Sequence, residues 1–131
     1  MDPVTVAQER NSPFANLLGI HFIKAGPDGV TAELTVREDL FTTPAIGHGG
    51  MLMAFADEAL GRAAWVANGG RRQVTVQLDT HFIAGAAAGD FIEAECRIVR
   101  QTRSLLFMAA TLAVGDRIVA TSNGVWKILS G

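Results

Sequence analysis

The chain has a single cysteine, Cys96, and so cannot close a disulfide within itself. Its first residues, "MDPVTVAQER", show neither a basic start nor an apolar signal run, so a reducing cytoplasm is the expected setting. There is no excess of positive charge. Eleven Lys and Arg stand against 13 Asp and Glu, and the basic residues are scattered, which excludes the electrostatic footprint of a nucleic-acid binder. No apolar run approaches the roughly 20 residues that would cross a bilayer, so no membrane partner is expected. His21, His48 and His81 have no HxxxH or HxH spacing, which argues against a metal site. Repeats, low-complexity tracts and Pro/Ser-rich linkers are also missing. The expectation is one domain over residues 1–131, with 1–11 as a flexible leading segment.

What is present is apolar pattern, with 49% hydrophobic residues in 131. In "NSPFANLLGI", Ser12 is placed as an N-cap and Pro13 as a first helical residue, so a short helix should run until Gly19. The period then changes to two. "IHFIKAGPDGVTAELTV" reads as two strands around Pro27, Asp28 and Gly29, with Val30, Ala32, Leu34 and Val36 on one face. A helix from about Gly50 to Ala67 follows, apolar nearly all round, and such a helix must be enclosed by protein. Beyond it, "RQVTVQLDTHFIA" alternates Val74, Val76, Leu78 and Phe82 against Thr75, Gln77, Asp79 and His81. "FIEAECRIVRQ", "SLLFMAATLAV" and "RIVATSNGVWKIL" then read as a meander of three strands. The total is one long helix and five or six strands, an α+β layout in which one antiparallel sheet could curl around the helix.

The stretch "AIGHGGMLMAFADEALGRAA" carries the chemistry. Gly49 and Gly50 at a helix start allow close backbone approach, and the free N–H groups there suit an anion or a developing oxyanion. A plain flexible loop entering the helix is the alternative. Asp57 has Gly61 four residues on and therefore no charged partner within its helix, whereas its neighbour Glu58 has Arg62 at that spacing. Asp57 is then either part of a solvated stripe with Glu58, Gly61 and Arg62, or waits for something brought to it. His48 and Asp57 lie about 13 Å apart along a helix axis and face opposite sides, so they cannot act on one atom within one chain. A dimer could bring Asp57 of one copy to Gly49 of the other.

These residues resemble the hotdog-fold acyl-CoA thioesterases, in particular the phenylacetate-degradation type of the 4-hydroxybenzoyl-CoA thioesterase superfamily. The likeness runs from about Phe14 to Ile128 and rests on "HGGMLMAFADEALGRAA", the earlier "LGI" and the later "VTVQLDTHFIAGAAAGD". The resemblance implies a curved antiparallel sheet wrapped around the central helix, homodimers and often tetramers, and an active site at the dimer interface. It implies Asp57 as nucleophile or general base, the Gly49 N–H as the group polarising the thioester carbonyl, His48 as an orienting residue, and Thr75 as the hydroxyl that helps place water. Gly50 and Thr42 are implied substrate contacts. The family pattern has Asn and Gly where this chain has Thr42 and Ala45.

The chemistry needs no cofactor, since coenzyme A belongs to the substrate. A carboxylate held in an apolar interface gains basicity by desolvation, and a helix N-terminus can supply oxyanion donors without a metal. The phosphates of a CoA substrate favour arginine, and Arg71, Arg72, Arg100 and Arg103 are the candidates, with Arg103 preferred; surface arginines also serve plain solubility. Cys96 alternates with Ile92 and Ala94 toward the core and reads as a structural thiol. Met51, Met53, Phe55 and Trp65 could line a pocket or fill the core. Two functions follow: hydrolysis of an acyl- or aryl-CoA thioester, or binding of such a thioester without turnover.

Overall fold

In the computed structural model, which describes residues 11–43 and 46–130 and gives 41–43 as backbone, the Ser12 hydroxyl accepts the Ala15 N–H and starts helix α1, Pro13–Leu18. Gly19 ends it at φ 80°, a left-handed cap that glycine adopts without a steric penalty. The leading segment, apart from Asn11, lies outside the described residues, as does Ala45.

Strands β1 (His21–Gly26) and β2 (Gly29–Thr35) pair as the expected hairpin, burying Phe22, Val30, Ala32 and Leu34. A 3-10 turn, Glu38–Leu40, leads into a two-stranded ribbon of β3 (Phe41–Thr43) and β4 (Ile46–Gly47). Alternation could not announce strands this short. Helix α2 spans Gly49–Ala67, one residue earlier than the sequence pattern suggests, because the His48 side chain caps it. Asn68, Gly69 and Gly70 then turn the chain into β5 (Gln73–Phe82), followed by β6 (Phe91–Gln101), β7 (Leu105–Val114) and β8 (Arg117–Ile128).

The six long strands form one antiparallel sheet in the order β1-β2-β6-β7-β8-β5. The last three strands make the expected meander, and β5 closes one edge beyond them. Helix α2 packs against all six strands, so the sheet wraps it. Leu52, Phe55, Ala59, Leu60 and Ala63 of the helix meet Leu34, Ile92, Leu106, Met108, Leu112 and Trp126 in one buried core.

Enclosure is incomplete, which corrects the expectation drawn from the apolar pattern. Met53, Ala54, Asp57, Glu58, Gly61, Arg62 and Trp65 recur at helical spacing and stay half-buried, a face that the chain's own sheet does not cover. Strand β5 also departs from the expected alternation. A register shift between Thr75 and Gln77 inserts a bulge at Val76, so the simple alternation fails there. Thr75 stands opposite buried Trp126 and shares the inner face with Leu78 and Phe82, which stand opposite Gly124 and Ala120. Val74 shares the outer face with Gln77, Asp79 and His81.

Cys96, opposite Val30 and Ala110, is buried, and burial pushes its thiol up to about 12, with Glu95 adding to the rise. Because the folded thiol holds its proton longer than the unfolded one, which releases it near 9.0, its contribution to stability is full below that value and is lost as the pH climbs toward about 12. Replacing Cys96 by Ala should flatten this alkaline loss in urea titrations at a series of pH values. The native thiol should also resist a disulfide reagent at pH 8 until denaturant is added.

Candidate active site

The start of α2 is capped by a hydrogen bond to its own second residue. His48 Nδ1 accepts the Gly50 N–H at 2.8 Å, and the His48 carbonyl takes the N–H groups of Met51 and Leu52. A side-chain carbon on Gly50 would come within 2.8 Å of Nδ1, so glycine is what lets the ring reach the backbone. The Gly50 N–H is thereby occupied. The Gly49 N–H has no acceptor among the described residues, and it is the first donor of a helix whose dipole favours negative charge. A carbon added at Gly49 would meet the Phe82 ring at 3.3 Å. Ile46, Leu52, Phe82 and Ile83 surround this end in an apolar cleft of about 400 Å³.

Further along the helix, the Thr75 hydroxyl donates to Asp57 Oδ1 at 2.9 Å. The β5 bulge is what turns Thr75 toward the helix. The pair stands at a cavity of about 440 Å³ lined also by Gly61, Arg62, Trp65, Arg72 and Trp126. The stripe of Asp57, Glu58, Gly61 and Arg62 is therefore one wall of a pocket and not a plain solvated face. Glu58 accepts the Ser12 hydroxyl at 3.0 Å, tying α1 to α2, and the Arg62 guanidinium lies about 6 Å from the rings of Phe22 and Trp65. At the far end Gln73 donates to the Gly61 carbonyl at 2.7 Å and accepts from Asn68 at 2.8 Å. Sequence reasoning did not single out Gln73, whose role depends on a contact across 12 residues.

The two halves stay apart within one chain, as the helical spacing requires. Thr42 lies in β3, and its side chain is outside the description. The arginines gather at one end of the sheet. The Arg72 carbonyl takes the Leu129 N–H and the Ser104 carbonyl takes the Ile128 N–H, which sets Arg72 and Arg103 on either side of the end of β8. Arg100 stands opposite Phe107 near the same turn. Arg71 is held back by Asn68, whose carbonyl accepts its Nε at 3.4 Å. All four are exposed, and only Arg72 lines the Asp57 cavity. Among the described residues no group of three or more His, Cys, Asp or Glu side chains gathers to hold a metal ion.

Residues 46–121 match the thioesterase superfamily model. A candidate esterase from Pseudomonas aeruginosa is 31% identical over 91% of this chain and 90% of its own length. The chain belongs to the thioesterase superfamily. Among solved structures, the Escherichia coli PaaI protein of the phenylacetic acid degradation operon superposes with a TM-score of 0.89 at 22% identity, covering 98% of this chain and 92% of that one. A hypothetical thioesterase from Streptococcus pneumoniae, solved with coenzyme A, superposes at 0.80 with 18% identity, covering 86% and 87%. The sheet and helix are those of the hotdog fold, and the superfamily supports thioester hydrolysis as the general class of reaction.

The helix cap gives a direct test. Changing His48 to Ala removes the acceptor for Gly50 and should cost about 1 kcal/mol in chemical denaturation, with asparagine at the same position recovering most of it.

Proposed function

We propose that the protein hydrolyses an acyl- or aryl-CoA thioester to a free acid and CoA, at a site made by two copies of the chain. The observation that carries this reading is the division along α2: a carboxylate holding a hydroxyl in a cavity at Asp57, and a backbone donor at Gly49 that has no acceptor among the described residues. Either half alone lacks what the other supplies.

A second copy can join them. β5 is an edge strand of ten residues with no proline, and it touches both halves, through Thr75 toward one end and Phe82 at the other. Val76, Phe82 and Ile83 are each more than half exposed, an unusual liability for an edge that stays unpaired. Antiparallel pairing of two β5 strands about a two-fold axis at Asp79 would set Phe82 of one copy opposite the Val76 bulge, beside Thr75, of the other. That symmetry makes two sites per dimer, each with Asp57 from one copy and Gly49 from the other. It would also cover the half-buried face of α2.

In this arrangement Asp57 takes a proton from water as the water oxygen attacks the thioester carbon. Thr75 holds Oδ1 and leaves the second carboxylate oxygen to receive that proton. Charge builds on the carbonyl oxygen, where the Gly49 N–H and the α2 dipole oppose it. The C–S bond then breaks, the acid departs, and the thiolate of CoA takes up the proton. Direct attack by the Asp57 carboxylate, followed by hydrolysis of the anhydride, uses the same groups. Arg72, with Arg100 and Arg103 across the end of β8, offers positive charge to the nucleotide phosphates, and the coenzyme A in the Streptococcus relative supports that class of ligand.

Two measurements test this. Thiol release from a panel of CoA thioesters should fall by about 10²- to 10⁴-fold in Asp57→Asn while binding persists; binding without turnover in the wild type would favour the non-catalytic reading. Mixing Asp57→Asn chains with Gly49→Val chains and letting subunits exchange should restore activity toward about a quarter of wild type, since half the dimers then hold one intact site of two. Two inactive variants that stay inactive after exchange would place both halves in a single chain.

A further inference from the structure

Most of the glycines near the site have a visible steric reason. A carbon on Gly47 would strike the Met51 side chain at 2.9 Å, one on Gly50 would strike His48, and one on Gly124 would come within 2.9 Å of both the Trp126 ring and the Gln77 carbonyl. Gly61 has none. It lies in the interior of α2, where glycine weakens a helix relative to alanine, and its φ is ordinary. Apart from the helix's own backbone, a carbon placed there would meet only Trp126 Nε1, at an ordinary 3.5 Å. The helix does not break at Gly61 either, because it continues to Ala67 and Gln73 holds the Gly61 carbonyl.

What Gly61 does adjoin is the cavity beside Asp57. It sits one turn beyond the carboxylate, on the same helix face, with Trp65 a turn further. Val74, Trp126 and Leu129 complete the apolar part of the lining. We propose that Gly61 is a specificity-determining residue: its missing side chain is the space that receives the acyl group of the thioester, and it sets how large that group can be. This rests on the thioesterase reading of the same site. Stability and substrate range are then opposed at one position. The helix would be better served by alanine, and the pocket is better served by nothing.

The test uses wild type, Gly61→Ala and Gly61→Leu, each checked for mass by light scattering. Gly61→Ala should raise the thermal midpoint by about 4 °C. It should lower kcat/KM for hexanoyl- and phenylacetyl-CoA by about tenfold and leave acetyl-CoA within about twofold. Gly61→Leu should deepen the loss for the two larger thioesters to about a hundredfold. An unchanged acyl-size profile in both variants would overturn the proposal. So would a loss of dimer mass with the profile intact, which would assign the gap to a helix–helix contact. Calorimetric binding of non-hydrolysable S-methyl, S-hexyl and S-phenethyl thioethers of CoA keeps the two readings separable. If the wild type releases no thiol, hydrolysis fails as a function, and the thioethers alone decide on Gly61: selective weakening of the larger ones upholds its role, and equal binding across the three proteins refutes it.

Discussion

The burial of one helix governs this molecule. Helix α2 is so apolar that a sheet must curve around it, and the sheet's order, with the meander β6-β7-β8 in the middle, supplies a concave face of Ile92, Leu106, Met108, Leu112 and Trp126 for it to rest on. Burying five or six such side chains contributes about 1.5–3 kcal/mol each before the entropy of ordering them is subtracted. Both halves of the proposed site are attached to that packed helix. Gly49 is at its first turn, Asp57 at its middle, and neither can move without disturbing residues that are fully buried on the opposite side.

Rigidity of this kind suits a reaction that needs preorganised groups. The donor at Gly49 is held by the helix, and the capping ring of His48 fixes the first turn; in the proposed reaction little reorganisation would remain when charge develops. On the other side, the Asp57–Thr75 hydrogen bond links helix to strand, and the Gln73 bridge to Gly61 repeats that link one turn later. Two contacts between the same two elements define an angle as well as a distance.

Much of this was legible in the order of residues. The Ser12–Pro13 helix start, the Pro27–Gly29 hairpin, the long helix and the final meander follow from caps, turn residues and period, all of which act locally. The family resemblance added the curvature of the sheet and named both Thr75 and Asp57 as site residues, and the structure puts those two groups in contact. The ribbon of β3 and β4 escaped because two or three residues carry no readable alternation. The half-open face of α2 was legible only as one of two readings of the Asp57, Glu58, Gly61 and Arg62 stripe, because hydrophobicity states that a residue prefers cover and does not state which chain provides it. Gln73 escaped because an amide's partners are set by the tertiary fold, and Gly61 because an absent side chain looks the same whether it serves a turn, a clash or a cavity.

The bulge in β5 has a consequence for comparing this chain with others. A strand carries an implicit parity, odd residues to one face and even to the other, and at Val76 that parity is reset. If a relative lacked the extra residue and the two chains were aligned without a gap there, Thr75 and its counterpart would point to opposite sides of the sheet. Identity at that column would then signify nothing about shared chemistry, and a true equivalent would be displaced by one. For this edge, backbone register is the coordinate in which kinship of the site has to be measured.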